Sequence, residues 1–368
     1  MLGYLFAFLL LFHGWIHLLG FVKAFKLATV SQLKMEISKP FGVLWFIIGM
    51  LFVYLALSFL VHEDWYFFGF VAVALSQCLI FIFWQDAKAA SIVNLLVFSV
   101  ALVQYAGDRF EHQYERDVIA NLKKGAMDEE LITKEDLEHL PLPVANYLEY
   151  VGVIGKPKVK NMKVTFVGKM RKKGGGWFSF ASAQHNVFGD SPARLFFMKA
   201  KLTGLPAYGY HSYQKGDARM LIKMMSLFPV VDLEGKQLFK AETVTLFNDL
   251  CLLAPSALID KNIEWEAVND TTAKVKFTNQ GVSISASLHF NKVHQLTNFV
   301  SDDRYEMSGK EVVQYRFSTP VGKFRKFNGL NLPSYGEAIW HYPEGEYIYG
   351  KFNVQEIHYN LTLDSLAF

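Results

Sequence analysis

Residues 89–117 read AASIVNLLVFSVALVQYAGDRFEHQYERD, and the change from apolar to charged side chains near Ala106 divides the chain into two parts. Four apolar runs, residues 2–21, 41–61, 65–84 and 89–106, lie before the change, and no later run is long enough to cross a bilayer. Each of the four is long enough to cross about 30 Å of hydrocarbon as a helix. The sequence therefore predicts a four-helix transmembrane domain (1–106), a helical juxtamembrane stalk (107–143) and an extracytoplasmic antiparallel β domain (144–368).

The composition agrees with a chain that is partly embedded in lipid. Its 368 residues leave room for two domains, and its apolar share of 52% and mean hydropathy of +0.17 lie between those of soluble and fully membrane-embedded proteins. The net charge of +3 gives no signal for nucleic-acid binding. Cys78 lies within an apolar run, so we expect no disulfide with Cys251, the other cysteine.

The charge of the loops predicts the orientation of the membrane helices. The segment between the first two runs carries Lys23, Lys26, Lys34 and Lys39 against a single acid, Glu36. Basic loops are retained in the cytoplasm. With four spans, the N-terminus and the C-terminal domain are then both extracytoplasmic, and the chain is a multi-pass protein of the cell membrane.

Two histidines, His13 and His17, are the sharpest polar feature of the first run. Their spacing of four places both on one helix face. Such a pair can ligate a metal, hold haem or relay protons; alternatively it hydrogen-bonds to neighbouring helices, at Gln77 or Asn94, and packs the bundle. We favour packing, because no second histidine lies deep in another run, and we predict neither a metal nor a cofactor.

Short strand-like segments follow one another from residue 159 at a spacing of ten to fifteen residues, with one helical interruption at 242–258. This pattern predicts an α+β fold in which a large, curved antiparallel sheet, a half-barrel or barrel-like, wraps a central helix and leaves a concave apolar face. A closed barrel and a two-sheet sandwich are the alternatives. The order of strands, helix and strands resembles the half-barrel carriers of lipoproteins and glycolipids in bacterial envelopes.

Four segments of the sequence together carry a resemblance to a known family: His13-Gly-Trp-Ile-His17, Trp177-Phe-Ser-Phe180 with Gln184, Asp303-Arg304-Tyr305, and Leu332-Pro-Ser-Tyr-Gly-Glu-Ala-Ile-Trp340. They resemble an uncharacterised bacterial family of unknown function that joins N-terminal membrane helices to this type of β domain. The resemblance implies the architecture. It implies no activity, and no catalytic residue is carried over from it.

The candidate ligand-binding residues are aromatic and polar side chains of the predicted strands. Arg304, beside Asp302, Asp303 and Tyr305, suits the anchoring of a polar headgroup or a small acid/base set, and a salt bridge at the rim of the sheet is the structural alternative. The aromatic strand and its neighbours suit either a ligand pocket or a core. The full set is Trp177, Phe180, Gln184, Tyr208, Tyr210, Arg304, Tyr305, Tyr335 and Trp340.

No motif specifies a reaction, so the functional hypotheses come from architecture. The favoured one is a membrane-anchored envelope protein whose β domain binds a lipid or another hydrophobic ligand beside the bilayer. The alternatives are a membrane enzyme that acts on a lipid or quinone-like substrate, and a sensor or assembly scaffold. The expected partners are the bilayer and a hydrophobic small molecule; nucleic acid is not expected, and the sequence indicates no particular protein partner.

Overall fold

A computed structural model of the chain describes residues 2–61, 64–123, 130–189, 191–260, 263–308, 311–366 and 368. The chain divides into two compact units, Met1–Arg109 and Phe110–Phe368. The first unit is helical and the second contains the β-sheet. Residues 124–129 of the predicted juxtamembrane stalk lie outside the described residues.

Apolar helices make up the first unit: α1 (Leu2–Ala24), α2 (Lys39–Val61), α3 (Tyr66–Ile82), the short α4 (Trp84–Ala87) and α5 (Ala90–Leu122), whose last residues belong to the second unit. Of the described helices, α1, α2 and α5 are long and apolar enough to cross a membrane. The prediction of four such helices is therefore wrong by one. The 17 residues of α3 span about 25 Å, which is short of about 30 Å of hydrocarbon.

The helix α3 is short because the backbone at Phe83 leaves the helical conformation, with φ −107° and ψ 38°. Elsewhere in the bundle small residues allow close packing. A Cβ atom on Gly14 of α1 would lie 2.8 Å from the carbonyl oxygen of Gly49 in α2. Glycine is needed at this position because the two backbones approach each other closely.

The second unit contains one antiparallel sheet of 13 strands in the order β6-β5-β4-β3-β2-β1-β13-β12-β11-β10-β9-β8-β7. The sheet is curved and not closed, because β6 and β7 form its two edges, so the prediction of one large curved sheet is confirmed. The strands are β1 (Asn161–Met170), β2 (Phe178–Val187), β3 (Ala193–Leu202), β4 (Leu205–Gln214), β5 (Asp217–Met224), β6 (Phe228–Glu234), β7 (Glu264–Asn269), β8 (Thr272–Asn279), β9 (Val282–Phe290), β10 (Leu296–Ser308), β11 (Glu311–Phe327), β12 (Leu330–Tyr342) and β13 (Gly345–Tyr359).

The helix α7 (Lys236–Leu253) connects the two edge strands and packs against the sheet, chiefly on β10. Its Phe247 is fully buried, and the ring stacks on that of Phe277. A second helix, α6 (Leu142–Val151), joins this core through Tyr147, whose hydroxyl donates a hydrogen bond to the Cys251 carbonyl oxygen at 2.8 Å. The burial of large apolar side chains holds the helix against the sheet.

The other face of the sheet is covered in part by residues 110–122 of α5. Phe110, Tyr114 and Val118 form a buried cluster with Leu195 and Phe197 of β3. Both faces of β3 are consequently covered, and most of its side chains are buried.

Candidate functional site

A cavity of about 350 Å³ lies between α7 and the sheet. Its size is at the lower end of the range for small-molecule pockets, about 300–1,000 Å³. Its lining includes many aromatic and methionine side chains, among them Phe178, Phe196, Phe352, Met170, Met198 and Met220. Such side chains suit an apolar ligand, since methionine adapts to irregular shapes.

A larger groove of about 600 Å³ lies over β7–β11. Four of its charged side chains form two ion pairs: Lys276 Nζ lies 2.9 Å from Glu264 Oε1, and Arg316 Nε lies 2.7 Å from Asp302 Oδ1. These pairs are solvent-exposed, so they need no ligand to satisfy them. The cavity beneath α7 is the better candidate site.

Polar groups converge at one end of the cavity around the buried Arg194 of β3. Its Nε donates to Asp249 Oδ2 at 2.7 Å, its Nη1 donates to Glu242 Oε2 at 3.1 Å, and its Nη2 donates to Gln184 Oε1 at 3.1 Å. Gln184 in turn donates to Asp249 Oδ2 at 2.7 Å. All three nitrogens of this guanidinium are therefore engaged by protein.

The charge of Glu242 is stabilised in this environment. Burial alone would raise the pKa of its carboxyl group, but interaction with the His211 imidazole and the positive charges of Arg194 and Arg304 outweigh burial and hold the pKa at about 2. The His211 Nδ1 lies 3.8 Å from Glu242 Oε1. Glu242 is consequently a fixed negative charge over the whole physiological pH range.

A second guanidinium, that of Arg304 in β10, lies among aromatic rings of the cavity. Its Cζ lies 4.1 Å from the ring centroid of Phe317, 5.1 Å from that of Trp340 and 6.0 Å from that of Tyr349. Its Nη1 donates to the Tyr349 hydroxyl oxygen at 2.7 Å. Its Nε is buried and has no hydrogen-bond partner among the described residues.

A β-bulge directs Arg304 into the cavity. In the ladder between β10 and β11, Ser301 faces Phe317 and Arg304 faces Tyr315, so that Asp302 and Asp303 together oppose Arg316. Strict alternation would place Arg304 on the face opposite to Ser301. The extra residue reverses this, and Arg304 joins the cavity-lining side chains.

The two aspartates of the bulge pair with other cations and not with Arg304. Asp302 binds Arg316, and Asp303 Oδ1 lies 2.7 Å from Lys240 Nζ of α7. Asp303 Oδ2 also accepts the Ser285 backbone N–H at 2.7 Å. These contacts hold the bulge, and no carboxylate of the described residues forms an ion pair with Arg304.

Tyr349 reaches the cavity through a similar irregularity. Between β12 and β13, Ala338 faces Gly350 whereas Ile339 faces Ile348, which leaves Tyr349 as the extra residue. Its ring stacks on that of Trp340 at a centroid distance of 5.8 Å. Two bulges on non-adjacent ladders thus bring together the two partners of one hydrogen bond.

The structure brings five of the nine predicted ligand-binding residues together at the cavity: Gln184, Arg304, Tyr305, Tyr335 and Trp340. Among these, the Tyr335 hydroxyl donates to Glu337 Oε1 at 2.6 Å. Their binding of a ligand remains a prediction.

The other four predicted residues lie elsewhere. Tyr208 and Tyr210 belong to the cluster on the opposite face of the sheet, where the Tyr210 hydroxyl donates to Asp117 Oδ2 at 2.7 Å. Trp177 precedes β2 at the surface, with the Arg171 guanidinium 4.5 Å from its ring centroid. Phe180 is buried in the core and contacts the ring of Phe352.

The residues that sequence reasoning missed are the charged groups of the cavity, Arg194, Glu242 and Asp249. A usable signal was present in α7, because Glu242 and Asp249 are seven residues apart and therefore share one face of the helix, where Leu238, Ala241 and Leu252 also lie. Two acids on a buried face require a cation. Arg194, at the start of a strongly apolar strand, meets that requirement.

His13 and His17 lie buried within the helical unit. His13 Nε2 lies 3.1 Å from Asn94 Oδ1, and His17 Nε2 lies 3.0 Å from Ser76 Oγ. Asn94 also donates to Gln77 Oε1 at 3.1 Å. Within the described ranges, no group of three or more His, Cys, Asp and Glu side chains is arranged to hold a metal ion.

Comparison with known proteins gives one family match and several similar folds. A family model described as a family of unknown function, DUF6544, matches residues 130–352. No curated protein matches the sequence significantly.

Among solved structures, similarity extends to a LolA superfamily protein from Nitrosomonas europaea (10% identity, 60% of this chain and 95% of that chain covered, TM-score 0.34). It also extends to a DUF1329 family protein from Desulfovibrio piger (12%, 61% and 95%, 0.33) and to a putative outer membrane lipoprotein-sorting protein domain from Vibrio parahaemolyticus (10%, 55% and 86%, 0.29). Scores of this size carry no inference about function.

Proposed function

The chain belongs to the DUF6544 family, a family of unknown function, and we propose that its β domain binds a lipid or another hydrophobic small molecule in the cavity beneath α7. The observation that carries this proposal is the combination of an apolar cavity of about 350 Å³ with a guanidinium, that of Arg304, that has unused donors. Ligand sites typically join a largely apolar wall to a few polar groups that fix orientation.

Anchoring in the cell membrane is the second part of the proposal. It rests on the three helices that are long and apolar enough to cross a bilayer. Asp86, after α3, accepts backbone N–H groups of Lys34 and Met35 through Oδ2 at 2.7 and 2.8 Å. The basic segment between α1 and α2 and the segment after α3 therefore share one end of the bundle.

This arrangement supports an extracytoplasmic β domain. If the basic end of the bundle faces the cytoplasm, α5 begins there and leads the chain to the other side. Fusion of green fluorescent protein or alkaline phosphatase after Phe368 tests the topology. We expect phosphatase activity without fluorescence, and the opposite pattern would refute the extracytoplasmic location.

Quantification of the hydrophobic molecules that copurify with the full-length protein tests the binding function. Thr245 of α7 lines the cavity, so Thr245→Trp adds a large side chain inside it. Val230 of β6 is 54% exposed, and Val230→Trp adds the same side chain outside it. Both variants keep the membrane helices unchanged and therefore retain the same annular lipid.

We expect mass spectrometry of organic extracts to find a hydrophobic compound in near-stoichiometric amount with the wild type and with Val230→Trp. The amount should fall at least fivefold with Thr245→Trp, because the cavity is filled. Equal amounts in the two variants would contradict binding in this cavity. A thermal unfolding measurement confirms that both variants are folded.

A further inference from the structure

We propose that the polar end of the ligand is an uncharged hydrogen-bond acceptor, the carbonyl oxygen of an ester, amide or ketone, and that Arg304 binds it. The inference rests on the proposed function, because it places the apolar part of the ligand in the same cavity. It adds the chemical class of the headgroup and the residue that recognises it.

The first argument is the supply of hydrogen-bond donors. A guanidinium carries five N–H bonds. Arg194 has all three of its nitrogens bonded to protein, whereas the bond from Nη1 to Tyr349 is the one hydrogen bond that Arg304 makes among the described residues. The buried Arg304 Nε has no partner there, and a buried donor is normally satisfied. A ligand acceptor can meet this need.

The second argument is geometric. The rings of Phe317 and Trp340 lie 4.1 and 5.1 Å from the Arg304 Cζ. The aromatic rings offer the guanidinium cation–π contact but no hydrogen-bond acceptor in the plane of its N–H bonds, and all five N–H bonds point outward in that plane. A carbonyl oxygen, with its lone pairs in the plane of the carbonyl group, suits such an approach.

The third argument is the charge of the cavity, and it decides between a neutral and an anionic headgroup. The described lining residues carry two guanidinium groups and four carboxyl groups. The carboxyl groups are those of Glu242, Asp249, Glu306 and Glu337. Lys351 Nζ, 3.5 Å from Glu337 Oε1, offsets one of them. The formal balance remains negative.

An additional carboxylate or phosphate would therefore enter an environment that already has an excess of negative charge. A neutral carbonyl oxygen gains a hydrogen bond to a charged donor without that repulsion. The cavity thus favours esters, amides and ketones over free acids with the same chain.

The test compares three ligands that differ only at the headgroup: monodecanoylglycerol, the corresponding decyl glyceryl ether and decanoate. Calorimetric titrations use the full-length protein in nanodiscs at pH 8, where histidine side chains are ordinarily neutral, with empty nanodiscs as the blank. We expect the ester to bind at least tenfold more tightly than the ether, a difference of about 1.4 kcal/mol. Decanoate should bind more weakly than the ester.

Variants then assign the preference to Arg304. Arg304→Met should reduce the difference between ester and ether to less than twofold. Arg219→Met is the matched control, because Arg219 of β5 is an exposed arginine that pairs with Asp232 and does not line the cavity, and it should keep the tenfold difference. The comparison of ligands on the wild-type protein remains decisive if Arg304→Met does not fold.

The outcomes separate the two proposals. Equal binding of ester and ether, an unchanged preference in Arg304→Met, or tighter binding of decanoate would overturn the inference and leave hydrophobic binding intact. If none of the three ligands binds, and Thr245→Trp copurifies with as much hydrophobic material as the wild type, both proposals fail.

Discussion

Replacement of Arg194 by methionine should destabilise the β domain far more than the loss of an ordinary ion pair. Its side chain is 8% exposed, and those of its partners Glu242 and Asp249 are 5% and 12% exposed. Breaking a buried pair leaves its remaining charges uncompensated, at a cost of about 3–5 kcal/mol. Here two carboxylates lose their shared cation, so we expect the upper part of that range at pH 7.5.

The pH dependence tests the electrostatic cause. In the wild type, the Glu242 pKa of about 2 lies below its ordinary value of 4.5, so the unfolded state binds more protons between these values. This stabilisation, on the order of 3 kcal/mol, is complete above pH 4.5 and is lost as the pH falls toward 2. Without Arg194, acidification instead protonates the buried carboxylates, which removes their uncompensated negative charge and stabilises the folded variant. The difference in the free energy of unfolding between wild type and variant should therefore be smaller at pH 4 than at pH 7.5.

Urea titration of the full-length protein in detergent, with proteolysis of the unfolded β domain as the readout, measures this difference. The control is Arg219→Met, because Arg219 and Asp232 form an exposed pair, 45% and 44% accessible, worth about 0–1 kcal/mol. Addition of Glu242→Gln to Arg194→Met should recover part of the loss. The reasoning is refuted if Arg194→Met costs no more than Arg219→Met, or if its cost is the same at both pH values.

Three further predictions use the same full-length protein. Tyr147→Phe removes the hydrogen bond to the Cys251 carbonyl and should lower the free energy of unfolding by about 1 kcal/mol in urea titrations; an unchanged midpoint would refute this. Burial lowers the pKa of His185 to about 3, so the unfolded state binds more protons than the folded state below pH 6.5. The free energy of unfolding of the wild type should therefore fall by about 2 kcal/mol between pH 7 and pH 5. His185→Gln should remove that dependence, whereas the exposed His358→Gln should retain it; identical slopes would contradict the assignment. Asn94→Leu breaks a polar network of the helical unit. It should lower the free energy of unfolding, measured by thermal denaturation in detergent, by about 1 kcal/mol, with no change in ligand affinity.

Hydropathy predicted the helical half well because a membrane span is recognised by length and composition alone. It failed for α3, since the residue at which a helix ends depends on local backbone geometry, here at Phe83. The rhythm of strands similarly predicted a single curved sheet. It could not predict that β1 pairs with β13, since that contact joins segments about 200 residues apart, for instance Met162 with Tyr359.

The site was less predictable because alternation defines two faces of a strand without indicating which face is concave. Tyr210 and Phe196 lie on opposite faces of neighbouring strands, one beneath α5 and one in the cavity. Alternation also misplaces Arg304 relative to Phe299, because the bulge at Asp302 and Asp303 inserts an extra residue. A bulge of this kind has no reliable signature in a single sequence.

The pairing of β1 with β13 makes the thirteenth strand the middle of the sheet. The strands β1–β6 and β7–β12 can each form from neighbouring segments as the chain is synthesised, but they remain separate ribbons until residues 345–359 have left the ribosome. Phe196 lies on one side of the junction and Trp340 on the other. The lining of the cavity is therefore complete only after translation has passed the strand that unites the two ribbons.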